Sequence, residues 1–293
     1  MTRYVAEIPA PGEWHGNCLE ICGHNPAKRP NGGSMYKSLA AAVALSSAAI
    51  APTAAFADDA PKSDIAITGS AAITTQYRLR GISQTDNRAA VQGSLTVTHS
   101  PSGVYVSTWA SNLGGNGTWG GSNMELDLIA GKTTPVGPVT LDGGVVYYVY
   151  PGTSGHDYVE LYGSVSGKVG PLTGKGGLYW APEQGNIGGH NIWLYTDWAF
   201  AIPKTPVTLK AHAGFSTGDS IYTRGADITD DHDIGVFDYG IGADFTYKML
   251  TLNVSFIGTN MGKDFANANY GAGTHSGHDI TKGNVVATLT AAF

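Results

Sequence analysis

Cysteine is nearly absent from this chain, charge is scarce, and no long apolar run occurs. The two cysteines among its 293 residues, Cys18 and Cys22, both lie near the N-terminus. Their spacing fits no zinc pattern, and downstream of them no disulfide can hold the fold together. Charged residues make up 14% of the chain, against about a quarter in ordinary soluble domains. No stretch approaches the roughly 20 consecutive apolar residues of a membrane-spanning helix. Basic excess is missing too: the net charge is -6, which argues against a nucleic-acid partner. Disorder is excluded by the aromatic content, 10% of residues. What the chain does contain is glycine, 41 residues, and tyrosine, 15. That composition points to a β protein.

The N-terminal region reads as a targeting segment. Met35-Tyr36-Lys37-Ser38 is a short basic start, Leu39 to Ile50 an Ala/Leu/Val run, and Ala55-Phe56-Ala57 a small-x-small cleavage pattern. Residues 35–57 are therefore expected to be a secretory signal peptide, with Asp58 the first mature residue. Export signals stand at the start of a chain, so residues 1–34 are expected to be an upstream extension produced by a mis-assigned start. Residues 58–293 then form the mature domain.

Within that domain period-two alternation dominates, and no 3.6-residue helical period is visible. In Val207 to Ser216 the residues Val207, Leu209, Ala211, Ala213 and Phe215 share one face, and Thr208, Lys210, His212 and Ser216 the other. Phe237 to Lys248 and Tyr158 to Lys168 follow the same rule. About twelve such segments are expected, the first running over 65–80. The connections alternate in length. Pro101 to Gly103, Pro135 to Pro138, Gly170 to Thr173, Pro203 to Pro206 and Tyr247 to Met249 are tight, while the others are long and polar. An even strand number with short turns at one end and long loops at the other is the pattern of a closed antiparallel outer-membrane β-barrel. Hydrocarbon offers no hydrogen bonds, so a spanning sheet must close and leave no edge.

Aromatic belts are expected at Phe200, Phe245, Tyr247 and Phe293 on the short-turn side, and at Tyr77, Phe215, Phe237, Tyr239 and Phe256 on the other. The terminal strand has Val285, Ala287, Leu289, Ala291 and Phe293 on one face, which resembles the signal read by the barrel-assembly machinery. That machinery, outer-membrane lipid and lipopolysaccharide are the expected partners, together with small polar solutes.

Several blocks also resemble a known family. Tyr77-Arg78-Leu79-Arg80-Gly81-Ile82-Ser83-Gln84-Thr85, Ala90 to Ser94, Val104-Tyr105, Trp109 to Asn112 and Glu125 to Leu128 are similar to the proteobacterial TorF-like porins. The Arg-Gly-Ile-Ser-Gln block is the most specific. Leu79 stands where an aromatic residue is expected, on what would be the lipid face. The resemblance implies a diffusion channel and supplies no substrate.

Catalytic motifs are thin. Gly163 to Gly167 has its serine one position late for a nucleophile elbow, and Gly170 to Lys175 is one residue short of a phosphate loop. His275, His278 and Asp279, and the cluster Asp227, Asp230, Asp231 and Asp233, are expected to be loop residues rather than metal ligands. A lipid hydrolase needs serine and histidine on the lipid side, and parity puts His212 inside. The chain is therefore read as a non-enzyme without cofactor, the alternatives being a non-conducting structural or adhesive barrel and an outer-membrane lipid-modifying enzyme.

Parity assigns Gln76, Arg78 and Arg80 of the first strand to the lumen, followed by Glu125, Asp127, Asp142, Glu160, Lys168, Asp197, Lys210, His212, Asp238, Asp244 and Lys248. These charges cannot face lipid, where one costs about 2–4 kcal/mol at mid-depth. Two roles suggest themselves: a paired, wet interior, or opposed acidic and basic arcs whose transverse field orients solutes. With His212 taken as neutral, acids outnumber bases, and a weakly cation-selective passage is expected. The export reading is checked by N-terminal sequencing of the mature protein, which should begin near Asp58; finding residues 1–34 retained would overturn it.

Overall fold

Alternating apolar and polar residues can satisfy every backbone group and still segregate their side chains only in a sheet whose two faces meet different surroundings. The computed structural model describes residues 63–114, 121–223, 235–270 and 273–293. Twelve strands form one closed antiparallel barrel: β1 (Ile65–Thr74), β4 (Ala90–His99), β5 (Val104–Asn112), β6 (Met124–Val136), β7 (Val139–Val149), β8 (Tyr158–Val169), β9 (Leu172–Gln184), β10 (Gly189–Ala201), β11 (Val207–Gly218), β12 (Val236–Tyr247), β13 (Leu250–Thr259) and β14 (Asn284–Ala292). Each strand pairs with its neighbours in sequence, and β14 returns to β1 from Ser70↔Ala292 to Thr74↔Thr288. Beyond Ala292 the ladder continues through Phe293, whose N–H donates to Gly69 O at 2.9 Å while its carbonyl accepts from Gly69 N at 2.8 Å. Gly69 has no Cβ, and one there would lie 2.8 Å from the Phe293 ring. The seam closes because that position is glycine.

The connections 100–103, 137–138, 170–171, 202–206 and 248–249 all fall at one end, and the opposite end carries the longer ones, except for the four residues 185–188 between β9 and β10. The outward face is mostly apolar, with Ile67, Val91, Leu128, Leu161, Leu194, Ile241 and Leu252 exposed. Phe215, Phe237 and Phe256 are exposed toward the long-loop end, and Phe245, Tyr247 and Phe293 toward the short turns.

The first strand is shorter than its alternation suggests. It ends at Thr74, and the chain then folds inward as a hairpin of β2 (Arg78–Leu79) and β3 (Ile82–Ser83). The two-residue turn Arg80-Gly81 has positive φ at both positions, 47° and 79°, the geometry of a type I′ turn. Only glycine fits the second position, since a Cβ there would meet the Gly258 carbonyl at 2.6 Å. Tyr77 and Leu79 are therefore buried inside the barrel; they occupy neither an aromatic belt nor a lipid face. The reason is tertiary: the hairpin gains partners on the far wall that a longer β1 would forgo.

Helix appears where none was expected. In the β13–β14 connection α1 (Lys263–Asn269) and α2 (Gly277–Thr281) are too short for a helical period to be legible. Ser276 caps α2 by accepting from Asp279 N at 3.2 Å. Ile82, Val236, Met261, Ala266 and Ile280 form one buried apolar cluster that joins these helices to the hairpin. A larger cluster, with Tyr77, Leu79, Trp109, Tyr148, Tyr150, Tyr158 and Tyr222, is buried inside the barrel. The proposed signal peptide and the N-terminal extension lie outside the described residues. A closed barrel resists detergent, so the folded protein should migrate differently on gels before and after boiling. Identical migration, with full solubility in the absence of detergent, would count against closure.

Candidate functional site

The lumen is organised in three tiers, set by which side chains the inward face of each strand carries. The uppermost tier, at the long-loop end, is the hairpin and its fastenings. Among the described residues Arg78 makes no ion pair: Nη1 donates to the carbonyls of Gly81 at 2.6 Å and Lys282 at 3.0 Å, and Nε to Gln76 Oε1 at 2.9 Å. Asn87 donates to Asp279 O at 3.0 Å. Asp86 accepts from Thr274 N at 2.9 Å and His275 N at 3.1 Å. Burial pushes the Asp86 carboxyl up, but the hydrogen bonds from Thr274 and His275 outweigh it and hold the group below its usual value. A depressed carboxyl contributes above its ordinary range and fails only as pH falls below it, so this fastening holds at neutral pH. Asp279, hydrogen-bonded to Lys282 and Ser276, is held at about 2.

In the middle tier Arg80 crosses the lumen. Its Nη2 donates to both oxygens of Glu160 on β8 at 2.7 Å, and Nη1 to Asn191 Oδ1 on β10 at 2.9 Å. The guanidinium also lies 4.9 Å from the Trp193 ring centroid and 5.3 Å from that of Tyr222. Arg80 is 4% exposed and Glu160 0%. Tyr148 donates to Glu160 at 3.0 Å and stacks on Tyr158 at 4.4 Å. Tyr77 donates to Glu125 at 2.9 Å. Beside this tier, on β10 to β13, the charges are also paired. His212 lies between Asp197 at 2.6 Å and Asp238 at 2.7 Å, and Trp193 donates to the second oxygen of Asp238 at 2.8 Å. Lys210 reaches Asp244 at 3.4 Å, and Asn253 donates to the other oxygen of Asp244 at 2.6 Å.

The lowest tier is empty. A cavity of about 380 Å³ opens among β1 and β4 to β9, lined by hydroxyls such as Thr68, Thr96, Ser107 and Thr133, by Tyr105, Tyr148, Tyr162 and Tyr179, and by Asp127, Asp142 and Lys175. Tyr105 donates to Asp142 at 2.9 Å and is hydrogen-bonded to the Tyr162 hydroxyl.

The expected lumen residues therefore divide. Glu125, Asp127, Glu160, Asp197, Lys210, His212, Asp238 and Asp244 are buried on the inner face as alternation requires, and Asp142 lines the cavity. Gln76, Arg78 and Arg80 are in the lumen but on the inward segment rather than the β1 wall. Lys168 is exposed at the short-turn rim. Lys248 is not a lumen residue: it occupies the β12–β13 turn at φ 54°, with its ammonium 5.5 Å from the neighbouring Tyr247 ring. Separate acidic and basic arcs do not form, because Arg80–Glu160, His212–Asp197 and Lys210–Asp244 interleave the two signs. His212 is not neutral in this geometry, since carboxylate oxygens at both ring nitrogens require both to carry a proton. Lys175, Tyr179 and Trp193 were not anticipated. The alternation within 174–181, with Leu178 and Trp180 outward, already puts Lys175 and Tyr179 on the inward face. Among the described residues no three His, Cys, Asp or Glu side chains converge as a metal site, and Asp227 to Asp233 lie outside those residues.

No curated protein sequence matches the chain. Among solved structures it is similar to the NanC porin, with 11% identity over 78% of this chain and 99% of that one at a TM-score of 0.46. It is similar to the KdgM porin at 7% identity, 77% and 99% coverage and a TM-score of 0.46. LpxR from Salmonella typhimurium matches at 10% identity, 77% and 99% coverage and a TM-score of 0.38. Residues 58–293 match a family described as "Bacterial protein of unknown function (Gcw_chp)", and the chain belongs to that family.

Proposed function

We propose that this barrel is a porin-like channel of the outer membrane for small polar solutes and ions, narrowed at its long-loop end by the β2–β3 hairpin. The observation that carries the reading is the cavity of about 380 Å³, lined by hydroxyls, tyrosines and the charged side chains of Asp127, Asp142 and Lys175, inside a closed wall whose exterior is mostly apolar. Short turns would face the periplasm and long loops the outside, next to lipopolysaccharide. Phe293, seated on Gly69 at the closing seam, suits the terminal strand for handling by the barrel-assembly machinery. The resemblance of the Arg80-Gly81 block to TorF-like porins agrees with this reading. Weak cation preference is supported by the cavity lining, which carries two carboxylates, Asp127 and Asp142, and one cation, Lys175. A lipid hydrolase is not supported by His212, which is enclosed between two aspartates and turned away from the exterior.

A non-conducting barrel is the second reading, favoured by the number of fastenings on the hairpin. Planar bilayers separate the two. The mature protein should give small conductance steps, with K+ preferred over Cl− and the preference fading as salt shortens the Debye length below about 8 Å. Replacing residues 76–88 by a short glycine–serine linker should raise conductance severalfold. Arg80→Gln leaves Glu160 buried without its cation, a cost of about 3–5 kcal/mol, and should make openings more frequent. Anion preference would reject the charge argument. Silence in both the intact and the shortened barrel would establish the structural reading.

A further inference from the structure

Asp127 is the one carboxylate at the cavity that the fold leaves uncompensated. It is 2% exposed, its Oδ1 has no hydrogen-bond partner among the described residues, and its side chain lines the cavity. The groups around it explain why. Its cross-strand neighbours are Trp109 on β5 and Tyr148 on β7, and the Tyr148 hydroxyl is committed to Glu160. Glu125, two residues earlier on the same inner face, adds negative charge. Glu160 adds more, and the nearby cation, Arg80, is bonded to Glu160. Burying a carboxylate without a partner is costly in a dry interior, so the position calls for a positive charge supplied from outside the chain.

We propose that the upper end of this cavity binds the ammonium group of a small organic cation, with Asp127 as its counter-ion. The inference deepens the channel reading and rests on it for entry from the short-turn end. Three features select the ligand class. Asp127 offers only acceptor oxygens, which favours a cation that carries N–H donors, and a primary ammonium brings three. The wall includes Tyr105, Tyr148, Tyr162 and Tyr179, whose π faces attract an alkylammonium as well as its carbon stem. A divalent metal is disfavoured, because no set of three ligating side chains converges among the described residues. The volume, about 380 Å³, lies at the small end of the usual range of about 300–1,000 Å³ for ligand pockets, which suits a single short-chain amine. Asp142, which already accepts from Tyr105, is the weaker candidate for the same role.

The test uses detergent-folded mature protein and n-butylammonium chloride, followed by calorimetry and by the emission of the lumen tryptophans. Saturable binding is expected, weakened about tenfold or more in Asp127→Asn, the loss expected for one charge-assisted hydrogen bond. Asp142→Asn should have a smaller effect, and Asp127→Glu should retain binding. Tetramethylammonium, which cannot donate, should bind more weakly than butylammonium. Heat-modifiable migration of each variant verifies folding. Equal binding by wild type and folded Asp127→Asn would overturn the proposal, as would a larger loss in Asp142→Asn or no saturable binding at all. The last result would mean that a proton, not an amine, neutralises Asp127. Asp127-dependent binding in a barrel silent in bilayers would remove the channel reading and leave the site. K+ conductance without such binding would do the reverse.

Discussion

Everything in this molecule depends on closing the β1–β14 seam. A sheet coated in apolar side chains on its outer face cannot leave a row of N–H and C=O groups open at an edge, because nothing apolar can satisfy them. The seam is short, from Ser70↔Ala292 to Thr74↔Thr288, and it is extended by the reciprocal backbone bonds between Gly69 and Phe293. Closure fixes which face of every strand is inside. It thereby forces Glu125, Asp127, Glu160, Asp197 and Asp238 into one confined space, where each needs a partner.

The lumen answers that demand unevenly. Around β10 to β13 the carboxylates are matched by His212, Lys210 and the indole of Trp193. Near β8 the match comes from outside the wall, through Arg80 at the tip of an inward hairpin. This guanidinium is held by Glu160, Asn191 and the faces of Trp193 and Tyr222 together. A buried pair of this kind is weak evidence for stability but strong evidence for position, since only one placement of the hairpin satisfies both charges. Around β4 to β7 the pairing stops and the cavity begins. Twelve strands enclose more volume than the side chains and the hairpin fill.

The hairpin also explains why the long-loop end is layered. Once Ile82 is carried inward it presents an apolar surface upward, which α1 and α2 cover through Ala266, Met261 and Ile280. Asp86 and Asn87 then tie the same segment to Thr274, His275 and Asp279. The constriction is therefore built from two loops that are distant in sequence, and it owes nothing to disulfides or long helices.

Strand number, strand faces and the tight turns at one end were legible in the sequence, because alternation and turn chemistry act over a few residues; the connection after β9, expected to be long, is the four-residue turn 185–188 because both strands extend toward it. The same parity rule placed Glu125, Asp127, Glu160, Lys210, His212 and Asp238 inside. It failed where the cause was not local. Nothing in the run from Ile65 to Arg80 says that the ladder stops at Thr74, since Tyr77 and Leu79 keep the alternation while their partners lie across the barrel. Arg80 at positive φ is paid for by Glu160, 80 residues away. Likewise, parity put His212 in the lumen, but two carboxylates brought to its ring by neighbouring strands decided its charge. Period and composition determine a barrel and its inner face. Which inner charges are paired, which are left to face a cavity, and which loop enters it are settled by long-range contacts that exist only once the barrel has closed.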